Sequence, residues 1–287
     1  MSRIGRLPGA DLAAALAVVA LWGLNFVAGK VALAELPPFL LTAIRFTVAG
    51  ALLAPFFRPR LDQLPRLALL ALVLGIGHFS LLFVGLVQAD AASAAVTVQL
   101  GVPFSVLLAW ACFGERPDRR SVLGIVLAFA GVVLLAGDPG HGHVAPLLLI
   151  ALSIFLWAVA NVLIKRIGDV APLVINAWVS VLAAPMALAL SAVFEHGQVA
   201  AAEAAGWRAW AGVAFTTLGS SVVAYTLWYR LLARHAVGLV VPYTLLGPVI
   251  GFAAGVVLLG EAVTPYRLVG GVLTLVGVAV IQLRLSR

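Results

Sequence analysis

Residues 101–131 read GVPFSVLLAWACFGERPDRRSVLGIVLAFAG, and residues 246–277 read LGPVIGFAAGVVLLGEAVTPYRLVGGVLTLVG. In the first stretch Gly114-Glu115 is followed by Gly124 nine residues after the Glu and by Gly131 sixteen after it. In the second, Gly260-Glu261 is followed at the same intervals by Gly270 and Gly277. Pro103 lies twelve residues before Glu115, and Pro248 thirteen before Glu261. One unit is therefore written twice: a proline-bearing apolar run, a Gly-Glu turn, and a glycine-marked apolar run. The duplication extends upstream. Trp22 is followed by Lys30 at eight residues and Pro37 at fifteen, as Trp157 is by Lys165 and Pro172. The offset between copies grows from 135 (157 − 22) to 146 (261 − 115), so about eleven residues have entered the second copy, assigned to the polar segment 195–206. A repeat of this length has to be recognised before domains are counted; the boundary falls between 140 and 141, giving repeats 1–140 and 141–287.

Composition identifies the solvent. The chain is 63% hydrophobic and 10% charged, with a mean hydropathy of +1.14. Soluble domains are about half apolar and about a quarter charged, so the medium is a lipid bilayer. Apolar runs of about twenty residues, enough for a helix to cross a core about 30 Å thick, lie near 12–34, 38–57, 66–87, 91–113, 119–137, 144–165, 171–194, 207–232, 237–259 and 265–284. The expected fold class is an all-α membrane protein of ten transmembrane helices. The ten runs leave only short turns, so function must reside in the bundle. The first run has no small-residue cleavage site followed by a soluble region and belongs to the repeat, so it reads as a retained helix. The single cysteine, Cys112, excludes an internal disulfide and a cysteine-built metal site; no metal and no cofactor is expected.

The net charge of +7 has a home other than nucleic acid. Placing alternate loops on alternate sides gathers Arg3, Arg6, Arg58, Arg60, Arg66, Arg116, Arg119, Arg120, Lys165, Arg166, Arg230, Arg234, Arg284 and Arg287 on one side, fourteen of the 18 Lys and Arg residues. Cytoplasmic loops carry such an excess, so both termini are expected in the cytoplasm. Each repeat holds five helices, an odd number, so two copies in one chain enter the membrane from opposite sides. Such inverted repeats serve alternating access in transporters, with the site between the halves near the midplane.

Several polar residues fall inside the runs. Asn25 lies one turn beyond Trp22, and a buried amide needs partners: a helix-to-helix hydrogen bond and a cavity-lining role both satisfy it. Lys30 reads either as a snorkelling lysine or as a substrate contact. Arg45 lies inside the second run and should face protein or water, snorkel outward, or hold a neighbouring carbonyl. His78, about 18 Å along its helix from Arg66, is either a neutral imidazole donating to a carbonyl or a proton-linked pathway residue. Asp90 fits the N-cap of the next helix. Gln99 precedes Pro103 by four residues, as Thr244, beside Tyr243, precedes Pro248. Proline frees a backbone carbonyl, tolerated where protein or a water-filled cavity satisfies it, which marks these two helices as broken and cavity-lining, or merely bent. Gly251 and Gly255 form a close-packing pair. Glu115 and Glu261 fall on opposite sides of the membrane and cannot act as a pair; each is expected to anchor its turn, with Asp118 and Thr264-Pro265 starting the following helices.

The runs WGLNFVAGKVALAELPPFLLTAIRF, FGERP and LLGPVIGFAAGVVLLGEAVT resemble the EamA-type proteins of the drug/metabolite transporter superfamily, over nearly the whole chain. Within it the chain is similar to bacterial amino-acid and metabolite exporters, a group that includes the O-acetylserine/cysteine exporter. The resemblance implies a central cavity lined by the first, third, fourth, sixth, eighth and ninth helices, with the fifth and tenth peripheral. On this sequence it assigns substrate binding to Trp22, Asn25, His78, Phe83, Gln99, Trp157, Asn161, Tyr225, Trp228 and Tyr243. No Asp or Glu lies deep in any run, which argues against carboxylate-driven proton antiport, and a cavity of aromatics and amides suits small zwitterions. The expected function is export of amino acids and related metabolites across the bacterial inner (cytoplasmic) membrane by uniport-like facilitated efflux, as a monomer or weak dimer that binds no nucleic acid. The alternatives are a multidrug or lipid-precursor transporter, and an intramembrane enzyme using Ser220 or Ser221 with His78 as base.

Overall fold

The structure, a computed structural model, describes residues 7–138, 144–167, 170–235 and 237–285. The expected repeat boundary at 140/141 lies outside the described residues, as do Arg3, Arg6 and Arg287. Among the described residues the chain is helix and turn without strand. The helices are α1 (Gly9–Leu33), α2 (Pro38–Leu53), α3 (Leu61–Gln88), α4 (Ala91–Phe113), α5 (Arg119–Ala136), α6 (Val144–Ile167), α7 (Pro172–Phe194), α8 (Trp207–Trp228), α9 (Pro242–Leu259) and α10 (Pro265–Leu285). All except α2 are long and apolar enough to cross a membrane. The run expected over 38–57 is helical for only 16 residues, about 24 Å at 1.5 Å per residue. Pro55 lies just beyond its last turn and has no N–H to donate to the Ala51 carbonyl, which removes the next rung of the helix.

The bundle is covered by apolar side chains. Val133 on α5, Leu148 on α6 and Val257 on α9 are 70%, 62% and 78% exposed, an arrangement suited to hydrocarbon, since soluble proteins avoid large contiguous apolar surfaces.

The duplicated motifs do the same local work in both copies. Gly114 and Gly260 end α4 and α9 with φ of 72° and 69°, a left-handed conformation that glycine adopts without the steric cost of a Cβ. Asp118 caps α5 by accepting the Ser121 N–H at 3.0 Å, and Thr264 accepts the Arg267 N–H at 3.2 Å where α10 begins. Both helix starts are as the sequence predicts. The glycines beyond them meet one another. A Cβ on Gly124 would lie 2.6 Å from the Gly277 carbonyl, and one on Gly277 2.5 Å from the Gly124 carbonyl. Gly131 and Gly270 are related in the same reciprocal way, each 2.6 Å from the other's carbonyl. Bare backbone at these points lets α5 and α10 lie against each other.

Four helices depart from regular α geometry. The 3₁₀ segments Val98–Leu100 and Val241–Leu245 stand just before Pro103 and Pro248, so both proline-bearing helices are broken where the sequence marks them. The π-helical stretches Ala71–His78 in α3 and Phe215–Ala224 in α8 have no comparable signal in the sequence. Wide turns of this kind recur at functional sites.

The candidate substrate cavity

The irregular segments surround a cavity of about 530 Å³. Its wall includes Trp22 and Asn25 of α1, His78 of α3, Gln99 of α4, Trp157 and Asn161 of α6, and Tyr225 and Trp228 of α8. Phe83 and Tyr243, also expected at the site, are not part of this wall. Phe83 is fully buried in the apolar core with Leu82 and Leu86, and Tyr243 packs with Leu7, Ala15 and Leu231. Counting positions along a helix placed both on a lining helix but did not resolve which face they occupy.

The expected set of lining helices was too narrow. Arg45, Phe46 and Ala49 of α2, Ile175, Asn176, Val179 and Ser180 of α7, and Gln282 of α10 also line the cavity, as do Ser220, Ser221 and Thr244. A formal charge therefore borders a cavity expected to offer dipoles alone. Arg45 donates from Nε and Nη2 to Ser221 Oγ at 3.0 and 2.7 Å, and its guanidinium lies 4.2 Å from the centre of the Phe79 ring, a stacked cation–π contact. Asn176 holds the same segment by donating to the Ser221 carbonyl at 3.2 Å. The sequence signal for Arg45 was present, a charge within an apolar run, but spacing could not say which way it faced.

The aromatic wall is built around Trp22, whose ring centroid lies 5.3 Å from both Tyr225 and Trp228 in inclined contacts. Trp157 lies against Gly101, where a Cβ would come within 3.2 Å of the indole. His78 Nδ1 is 3.0 Å from the Ser153 carbonyl. A carbonyl only accepts, so Nδ1 carries the hydrogen, a donation that the neutral and the protonated imidazole both make. Asn25 Oδ1 and Gln282 Oε1 are buried without a hydrogen-bond partner. Among the described residues no three His, Cys, Asp or Glu side chains are grouped to hold a metal ion.

Away from the cavity, polar side chains tie helix ends together. Lys30 donates to the carbonyls of Leu86, Val87 and Ala89 at 3.0, 3.0 and 2.6 Å. It closes the end of α3 and its partners are all backbone. Asp90 occupies the N-cap position of α4 but contributes no side-chain cap; its carboxylate pairs with Arg267. Glu261 supplies the cap instead, accepting the N–H groups of Ala91 and Ala92 at 2.7 and 2.8 Å. Arg267, 2% exposed, also contacts Asp138 at 3.3 Å and the Ala262 carbonyl at 2.7 Å. Glu195, within the inserted segment, caps α2 through Phe39 and Leu40 at 2.7 and 3.0 Å. The close-packing pair of α9 works here too, with Gly251 against Ala95 and Gly255 against Ala92.

A helical, lipid-compatible bundle around a buried mixed aromatic and polar cavity defines a multi-pass membrane protein with a solute-sized interior site. The chain belongs to the EamA-like transporter family, which it matches over residues 10–137 and again over 144–283. It is 33% identical to a protein of Escherichia coli (strain K12) named "Probable amino-acid metabolite efflux pump", over 92% of this chain and 91% of that one. A Salmonella typhimurium protein of the same name is 32% identical over the same shares. A crystal structure of a protein 23% identical to this chain superposes with a TM-score of 0.65 over 96% of each, a likeness of fold.

Proposed function

We propose that the protein exports amino acids and related small metabolites across the bacterial inner membrane by alternating access, as uniport-like facilitated efflux. The observation that carries this reading is the cavity wall, to which both copies contribute in the same way: Trp22 and Trp157 at corresponding positions, with Asn25 and Asn161 three and four residues beyond them. The names of the two enterobacterial relatives support the substrate class. On this reading the chain crosses the membrane ten times, α2 included, as two inverted five-helix repeats with both termini in the cytoplasm. The reciprocal contacts of Gly124 with Gly277 and of Gly131 with Gly270 support the inversion, because a two-fold relation between copies pairs the ninth position after one Glu with the sixteenth after the other.

Uniport-like transport is supported by the composition of the wall, which among the described residues includes no Asp, Glu or Lys and so offers no carboxylate there for a proton relay. The enzyme alternative loses one of its two candidate nucleophiles: the Ser221 hydroxyl donates to the Thr216 carbonyl at 3.1 Å and accepts from Arg45, so its proton is not directed at an imidazole. The test is efflux of preloaded radiolabelled solutes from proteoliposomes containing the purified protein. Faster loss of amino acids than from protein-free vesicles, with retention of a control sugar, is expected; equal rates for every amino acid would refute the assignment.

A further inference from the structure

Among the described side chains, three cations of the membrane-spanning helices are not exposed, and two of these are fully engaged. Lys30 donates to three carbonyls, and Arg267 faces two carboxylates and a carbonyl. Arg45 is different. It is 2% exposed, and Nε and Nη2 share a single neutral oxygen, Ser221 Oγ. Nη1 is buried and has no hydrogen-bond partner. A hydroxyl that already gives its own hydrogen to Thr216 cannot offset a full charge, and an unpaired buried charge is costly. Arg45 borders the cavity and, among the described residues, is the only formally charged side chain in its wall.

A guanidinium with an unused donor beside a solute-sized cavity is suited to a carboxylate, which it binds by charge-assisted hydrogen bonds. An ammonium group would find no counter-ion among the described residues of the wall, only neutral oxygens such as Asn25 Oδ1 and Gln282 Oε1. We propose that Arg45 is the specificity-determining residue of the cavity and binds the carboxylate of the transported solute, so that a carboxylate is obligatory and an ammonium group dispensable. The Trp22, Tyr225 and Trp228 cluster then receives the apolar part of the same molecule. The inference rests on the reading of this cavity as the transport site.

Thermal stabilisation of the purified full-length protein tests it, because a ligand that binds the folded state raises the melting temperature with its concentration. The probes are N-acetyl-L-phenylalanine, L-phenylalanine and L-phenylalaninamide, which share a side chain and differ in charge. The two carboxylates should stabilise the protein, and the amide should require a concentration at least about tenfold higher for the same shift, as expected for loss of a charge-assisted contact. Arg45→Gln should remove this difference and Arg45→Lys should retain part of it. An amide as effective as the acids in the wild-type protein, or no stabilisation by any of the three, overturns the proposal even if neither variant folds. Counterflow of the same solutes and an amino-acid panel separates this from the exporter reading. Amino-acid counterflow without acid–amide discrimination would leave the exporter standing and remove the anchor. Discrimination in binding, lost in Arg45→Gln, with no counterflow of any solute would do the reverse.

Discussion

Glu261 accepts the backbone N–H of Ala91 at 2.7 Å, across 170 positions of sequence. Its second oxygen takes the Ala92 N–H, so a side chain of the second copy caps a helix of the first. The corresponding Glu115 is 60% exposed and contacts Lys165 at 3.4 Å. One end of the bundle is thus laced across the copies at a position whose counterpart faces solvent. Loss of an N-cap costs about 0.5–2 kcal/mol, which moves a two-state equilibrium by roughly 2- to 30-fold. Glu261→Ala is expected to favour the state open at the Asp90 end. On the proposed orientation, a cysteine replacing Gln99 in the cavity wall, with the exposed Cys112 changed to serine, should then react faster with an impermeant maleimide applied from outside. Unchanged or slower labelling would exclude this role.

The α5–α10 contact predicts a stability difference. Any side chain at Gly124 meets the Gly277 carbonyl and Ile281, and overpacking of a close contact costs about 1–3 kcal/mol or more. Val133 faces outward on the same helix, and changes at such positions usually stay within about 0.5 kcal/mol. Gly124→Leu should lower the melting temperature of the solubilised protein by several degrees while Val133→Leu leaves it nearly unaltered; equal effects would show that the glycine contact does not bear on stability.

Trp157 and Glu115 should separate in transport. Trp157 borders the cavity, and truncating it enlarges one side of the site and changes which solutes fit. Glu115 lies on the exposed surface, where its influence is on the conformational equilibrium shared by all substrates. In competition profiles at matched protein levels, Trp157→Ala is expected to reorder competing amino acids, and Glu115→Gln to scale all of them by one factor. An unchanged order in Trp157→Ala beside a changed order in Glu115→Gln would take Trp157 out of the site.

These contrasts also show what the sequence can convey. The Gly-Glu turn, the proline-marked breaks and the intervals to Gly124 and Gly131 were legible because each reflects local backbone geometry, written twice. Trp22, Asn25, Trp157 and Asn161 were legible because one turn of helix sets both on one face. The partner that caps α4 was not legible. Asp90 has the right residue type in the right place, yet Arg267 draws its carboxylate away and Glu261 takes its role through a tertiary contact. Arg45 announced a buried charge, but its direction depends on Ser221 in a π-helical stretch that propensity does not mark. Phe83 and Tyr243 show the same limit, since a lining helix has a back as well as a front.

The most direct test of the account is counterflow into proteoliposomes at equal pH on both sides, with an ionophore holding the proton gradient at zero. Vesicles preloaded with unlabelled amino acid should transiently accumulate the labelled form above equilibrium, because exchange through the cavity needs no imposed gradient, and His78→Phe should alter the rate while preserving the overshoot. Counterflow that appears only when a pH gradient is imposed, and is lost in His78→Phe, would contradict uniport-like transport and identify His78 as a proton-coupling residue.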